Sequence, residues 1–600
     1  MCGIAGILAR EADGSEAARV GAMQEALRHR GPDDRGTWQS PSGHATFGNT
    51  RLAILDLSRA GHQPMSTADG RLTITFNGAI YNFKELRQVL EQRGIELHSD
   101  TDTEVILGAY EAFGEKCVDH LRGMFAFAIW NERDRTGFFA RDRFGIKPFY
   151  YHAEPGRLLF ASEVRALLAT GGVPSDLDGD AMFAYFRAGS VQEPRTVLKS
   201  VRCLEPGHVA TWRDGRLQTR EYWSVSFPTA EAPARPVEAT HEALVDSVRH
   251  HFVSDVPVGI LLSGGIDSTS LVALARQAGV GDLRTFTLSI PGFEADESDR
   301  ARRTAEHFGT QHEEYCVGAA AGRDLFTGFL QAMDQPSIDG LNTFAVAGLT
   351  SRHGMKVMLS GLGADELFGG YPSFANVPRL ARWNRRLAAA PPVRTAVAKV
   401  LGASGDPRHR RVADFLTQRP TMAAAYATYR GIFTRAESRI LAERYSGAPC
   451  FTDDEQPPDD LRDATDRDAV SRLELSRYVR NQLLRDSDVM SMAFGVELRT
   501  PFLDRDLFDV VARIPASRRL EAGKRLLLDA VPNLPDGVAW RPKRCFQFPF
   551  DDWLDQEWQQ LFASIERTCP VPAGRWYRKW CVFVLEHWLG TVNNGVRVWT

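Results

Sequence analysis

Two segments near the start, 72–76 (LTITF) and 124–130 (MFAFAIW), are short runs of β-branched, aromatic and aliphatic residues, the length and make-up of strands. Between them lie two amphipathic stretches with helix-start signals. Asn82 and Glu85 in NFKELRQVLEQRG stand three apart, as do Thr101 and Glu104 in TDTEVILGAYEAFG, the spacing of a capping box. A hairpin is expected over 131–142 (NERDRTGFFARD). From 224 to 240 (SVSFPTAEAPARPVEAT) the periodicity stops and three prolines appear, so a linker or surface crossing is expected, taken as 216–240. Beyond it the pattern changes. Helical 241–252 is followed by the buried strand 256–262 (VPVGILL), helical 268–279, and short strands 284–290 (RTFTLSI) and 356–360 (KVMLS), each separated by helix-length segments. That alternation predicts a parallel sheet with helices on both faces. After about 370 the chain reads as mostly helical, with no repeat and no low-complexity tract.

A chain of 600 residues is too long for one core, so two or more domains are expected. With 72 Lys and Arg against 76 Asp and Glu, the net charge of −4 gives no nucleic-acid footprint, and the basic stretch 379–411 reads as a solvated face. There is no apolar run of membrane-span length and no signal-peptide pattern at the start. Eight cysteines, the closest pair twelve apart, exclude a CxxC zinc site and suit reduced thiols in the cytoplasm.

The sharpest local feature is LLSGGIDSTS, placed between a strand and a helix. Gly264 and Gly265 let the backbone approach an anion, and the turn and helix start aim N–H groups at it. Ser263 and Ser268 add hydroxyl donors, and Asp267 offers a carboxylate to a magnesium ion. An ordinary strand-to-helix turn rich in Ser and Gly is the bland alternative. No GxxxxGK[ST] occurs, so this is no Walker loop. SGGxDS instead resembles the pyrophosphate loop of ATP pyrophosphatases, which attack the α-phosphate of ATP and release pyrophosphate. A second strand-end loop, 357–371 (VMLSGLGADELFGGY), places Asp365 where it can share that metal with Asp267.

Cys2 becomes the first residue if Met1 is removed, which sets a thiol beside an α-amine whose ordinary pKa of about 7.7–8.0 suits a general base. Alone, an incidental terminal cysteine explains it as well. Arg51, the pair Asn77–Gly78 and Asp102 add a guanidinium, the donors of an oxyanion hole and a carboxylate, a set that fits an amino acid whose side-chain amide is hydrolysed.

MCGI, RHRGPDD, RLAILD, NGxIYN and SDTDTE, in that order, resemble the class II glutamine amidotransferase domain. With SGGIDS, LSGxGxDELFGGY and VELRTPFLD, nearly the whole chain resembles the glutamine-hydrolysing asparagine synthetase family. The resemblance implies an α+β N-terminal nucleophile (Ntn) hydrolase sandwich over 2–215. An α/β parallel-sheet ATP-pyrophosphatase domain with a helical C-terminal part then spans 241–600. It implies that Cys2 forms the γ-glutamyl thioester, that Asn77 and Gly78 stabilise its tetrahedral intermediates, and that Arg51 and Asp102 hold the glutamine carboxylate and ammonium. Ammonia then moves through an internal tunnel to an acyl-adenylate made from ATP with Mg2+. Leu261, Leu288, Ser360 and Gly361 match nucleotide contacts, and Lys543 in WRPKRCF matches a lysine that steadies charge on the reacting phosphate. A homodimer is compatible with this reading.

Two positions depart from the family pattern. Ala79 stands where NGEIYN has glutamate, and Leu362 stands where SGEGxDE has one. Aspartate is the expected acceptor. The alternatives are another carboxylate of a specialised-metabolite or cell-envelope precursor, a macrolactam- or β-lactam-forming cyclase, and a non-catalytic scaffold.

Overall fold

The strand Gly3–Ala9 is buried at every position, because it carries an apolar layer on each face. Ile4 and Leu8 face one way, into a core with Phe47, Trp130, Phe139, Phe160 and Trp212. Ala5 and Ile7 face the other way, toward Val20, Met23 and Leu27. This period-two alternation fixes the first architecture: two six-stranded sheets face to face, with helices outside. The computed structural model describes residues 2–228, 231–290, 297–450, 465–538 and 558–593.

The first sheet runs in the order Arg202–Cys203, Tyr150–Glu154, Arg157–Ala161, Gly3–Ala9, Ala45–Arg51, Asp34–Gln39. The second runs Arg216–Glu221, His208–Arg213, Thr136–Arg141, Gly123–Asn131, Leu72–Ile80, Met65–Ser66. Every pairing in both is antiparallel. Helices Phe83–Glu91 and Asp102–Phe113 cover the second sheet through Leu86, Leu90, Val105 and Ile106. This is the N-terminal nucleophile sandwich that the resemblance implies.

The two helix starts differ from the capping boxes expected of them. Asn82 makes no cap to its helix. Its Oδ1 accepts from Arg122 N at 2.9 Å and its Nδ2 donates to His120 O at 3.0 Å, tying the helix to the segment just before the strand Gly123–Asn131 instead. Thr101 caps Glu104 N at 3.1 Å, but the Glu104 carboxylate turns to the N–H groups of His98 and Ser99.

The expected linker 216–240 is shorter in the structure. Arg216–Glu221 is an edge strand in full register with His208–Arg213, and helix Pro236–His251 already begins at the linker's far end. The edge strand escapes a periodicity argument because its sequence, RLQTRE, is almost wholly exposed. The connection between them is not a free spacer either. Trp223 and Phe227 lie 5.5 and 5.8 Å, ring to ring, from Phe508 of the second domain.

The second domain holds a five-stranded parallel sheet in the order Gln311–Cys316, Arg284–Ser289, Val258–Leu261, Val357–Leu359, Glu497–Arg499. Helices Pro236–His251 and Ile266–Gln277 pack against it through Leu244, Val248, Leu271 and Leu274. From Ser373 onward the described elements are helical, apart from the strand Glu497–Arg499. One stretch, Glu474–Leu484, is a π-helix, a form that is rare and concentrates at functional sites. The apolar cluster around Ala5 and Ile7 continues to Phe329 and Trp580, so a single core crosses the junction of the domains.

Candidate functional site

Cys2 is held at the start of the buried strand Gly3–Ala9. Its backbone nitrogen donates to Asn77 Oδ1 at 3.1 Å. Asn77 sits in Leu72–Ile80, paired with Ala126, fully buried. Its Nδ2 has no hydrogen-bond partner among the described residues, so a desolvated donor is left beside the cysteine. Gly78 follows, where a Cβ would overlap Met124 O of the adjacent strand, so only glycine fits. Arg51 is fixed by carbonyls of the following loop, donating to Ser58 O at 3.0 Å and Leu55 O at 3.2 Å. Gly61 leaves the room its guanidinium occupies. Asp102, at the first position of its helix, accepts from Ile80 N at 3.0 Å.

Cys2, Arg51, Gly78 and Asp102, with Ala79, line one narrow cavity of about 40 Å³, and Asn77 is tied to it through its bond to Cys2. Burial pushes the Cys2 thiol above its ordinary pKa, and the nearby Arg51 opposes this. Burial also raises Asp102 to about 6. Sequence reasoning missed two members of the wall. Gln63 accepts from Phe76 N at 2.7 Å and holds the strand that carries Asn77. Glu497 comes from the parallel sheet of the other domain, paired with Arg499 at 2.6 Å.

The second site is a cavity of about 1020 Å³ at the carboxyl ends of the parallel strands. Leu261, Ser263, Gly264, Gly265, Asp267, Ser268 and Leu288 line it, with Ser360, Gly361, Leu362 and Asp365 from the second loop. The loops meet because their strands are neighbours, Ile260 opposite Leu359. Gly264 adopts φ 71° and packs so tightly on the helix Ser298–Phe308 that a Cβ would stand 2.7 Å from Ala301 N. Gly265 then starts the helix Ile266–Gln277. Ser268 Oγ accepts from Ser263 N at 3.1 Å and closes the loop. Gly361 packs on Asp267, where a Cβ would lie 2.9 Å from the aspartate Cβ. Lys543 lies outside the described residues. A different lysine, Lys524, enters this site and contacts both Asp267 and Asp365; nothing in the sequence motifs singles it out. Leu362 packs in an apolar cluster with Phe286, Leu349, Met358 and Leu498.

The sites are joined by buried structure. Arg30, wholly buried, donates from Nε to Cys2 O at 3.2 Å, and its other nitrogens reach Glu163 at 2.8 Å and Asp488 at 2.7 Å. Asp488 lies in helix Arg485–Met492, which continues the π-helix whose Tyr478 and Leu483 line the large cavity.

Two family models match the chain. The model of the glutamine amidotransferase domain matches residues 1–223, and that of asparagine synthase matches residues 239–588. The glutamine-hydrolysing asparagine synthetase 1 of Bacillus subtilis is 32% identical, covering all of this chain and 95% of its own. Asparagine synthetase 3 of the same organism is 32% identical over 90% of this chain and 86% of its own. Amidase chry2 of Gibberella zeae is 27% identical over 88% of this chain and 84% of its own. The chain belongs to the glutamine-hydrolysing asparagine synthetase family and is an ATP-dependent, glutamine-hydrolysing amide ligase.

Proposed function

We propose that the protein makes asparagine from aspartate, glutamine and ATP, releasing glutamate, AMP and pyrophosphate. One observation carries the coupling of the two reactions. In the strand Glu497–Arg499, Glu497 lines the Cys2 cavity while its neighbour Leu498 lines the large one. Successive strand residues point to opposite faces, so the thickness of one sheet separates the cavities. In this reading the ammonia released at Cys2 crosses that thickness to the second site.

In this reading Cys2 is the nucleophile. Its sulfur attacks the glutamine side-chain carbonyl, and the developing oxyanion is met by the free Asn77 amide and the Gly78 N–H. Arg51 holds the glutamine carboxylate and Asp102 its ammonium. Collapse expels ammonia and leaves a thioester, which water hydrolyses to glutamate. In the large cavity the loop 263–268 and the helix start behind it take the ATP phosphates, with Leu261 and Leu288 at the base and Ser360 and Gly361 beside it. Asp267 and Asp365 face a common cation, and two carboxylates with phosphate oxygens suit magnesium. That ion would screen the phosphate charge as the acceptor carboxylate attacks the α-phosphorus. Ammonia then displaces AMP from the acyl-adenylate.

Leu362 favours a second reading, with the same chemistry on another carboxylic acid. Held among Phe286, Leu349, Met358 and Leu498, it can neither take a proton nor pair with a cation. Mass spectrometry of reactions with ATP, glutamine and a panel of carboxylic acids decides between them. AMP together with the small mass decrease that replacing a carboxyl OH by NH2 gives on aspartate supports asparagine; the same products only on another acid support the second reading.

A further inference from the structure

The gap between Asp267 and Asp365 already holds a cation of the chain itself. Lys524 Nζ lies 2.5 Å from Asp365 Oδ1 and also contacts Asp267 Oδ1. Only 3% of this lysine is exposed, unusual for a residue that normally keeps its ammonium in water.

The backbone is bent to put it there. Lys524 has φ 56°, in the left-handed region, between Gly523 at φ 76° and the helix Arg525–Ala530. A side chain other than glycine is strained there. Gly370 completes the arrangement, since a Cβ at that position would overlap both the Asp365 carboxylate and the Lys524 side chain. Two carboxylates, a strained lysine and a glycine that leaves it room form a fitted counter-ion site. An ammonium and a divalent ion cannot share it, because they repel at such distances and the ion needs carboxylate oxygens at about 2.0–2.1 Å.

We propose that Lys524 is the resident counter-ion of the metal site. It keeps Asp267 and Asp365 together in the nucleotide-free enzyme and excludes free divalent cations. It releases the carboxylates only when a nucleoside triphosphate offers its ammonium a phosphate instead. The metal therefore enters with the nucleotide and not before it. This rests on the reading of Asp267 and Asp365 as metal ligands.

Mn2+ binding to the full chain, followed by electron paramagnetic resonance of the free ion, tests it without turnover. In the absence of nucleotide, Lys524→Met and Lys524→Gln should each bind one Mn2+ at least about tenfold tighter than the wild type. Adding Asp365→Asn to Lys524→Met should remove that gain. In the wild type alone, Mn2+ should leave the melting temperature unchanged and Mn2+ with a non-hydrolysable ATP analogue should raise it. Lysine variants no tighter than wild type, or a wild type stabilised by Mn2+ alone as much as with the analogue, overturns the proposal. The metal reading is judged separately. If the analogue brings Mn2+ to Asp267→Asn as well as to the wild type, those aspartates are not the ligands.

Discussion

Arg30 and Asp488, 458 positions apart in the chain, meet at 2.7 Å with both side chains buried. The guanidinium that touches the Cys2 carbonyl thus also holds the helix behind the large cavity. Lys147 approaches the second Asp488 oxygen at 3.4 Å. Removing one partner of a buried pair leaves an uncompensated charge, at a cost of about 3–5 kcal/mol. Asp488→Asn should therefore lower thermal stability and loosen coupling, so that glutamate formed exceeds amide formed. Glutamate and AMP assayed together check this; a ratio unchanged from the wild type contradicts it.

Cys2→Ala should abolish glutamine hydrolysis and leave amide formation from ammonium salts intact, because Cys2 and the loop 263–268 lie in separate cavities. An uncleaved tag in front of Cys2 should act like the substitution, since it removes the free α-amine. Glutaminase and ammonia-dependent assays on the same preparation distinguish this from a general loss of folding.

The buried Asp102, raised to about 6, gives the glutamine site a pH limit. The carboxyl must be ionised to hold an ammonium group. Above that pKa it is; as pH falls through it, the neutral form accumulates and the KM for glutamine should rise, by about tenfold per pH unit well below it. Ammonia-dependent synthesis does not use Asp102 and should not share this limb at constant free ammonia. Asp102→Asn should flatten it and raise KM at neutral pH. KM profiles from pH 5 to 8 are the measurement.

Leu362→Glu tests whether a carboxylate at that position matters. Ammonia held dry beside an adenylate gains most of its rate from proximity, worth roughly 7–11 kcal/mol. The substitution should change amide turnover by less than about tenfold, below the 10²–10⁴ typical of a general base. Turnover and melting temperature together separate a chemical effect from the cost of placing a charge against Phe286 and Met358.

What the sequence shows and what it hides follow from the range of the interactions. The loop 263–268 is legible because glycine and serine do local work there: a left-handed turn, a close approach and a hydroxyl cap. Cys2, Arg51, Asn77, Gly78 and Asp102 stand in quotable motifs; four of them line one cavity, and Asn77 bonds the backbone of Cys2. Contacts across the fold leave no such trace. Arg30 gives no local sign of Asp488, nor Lys524 of Asp267, 257 residues away. Glu497 reaches the Cys2 cavity only because its strand runs along that edge of the parallel sheet. Arg216–Glu221 hides for a different reason. An exposed edge strand needs no apolar face, so pairing rather than side-chain pattern defines it.

Nitrogen transfer tests the account most directly. The wild type is given aspartate, ATP and glutamine labelled with 15N in the side-chain amide, with excess unlabelled ammonium in the medium. Channelling between the two cavities predicts asparagine carrying the 15N label, with AMP and pyrophosphate formed in equal amounts. Unlabelled asparagine, ADP and phosphate in place of AMP and pyrophosphate, or no asparagine at all would contradict it.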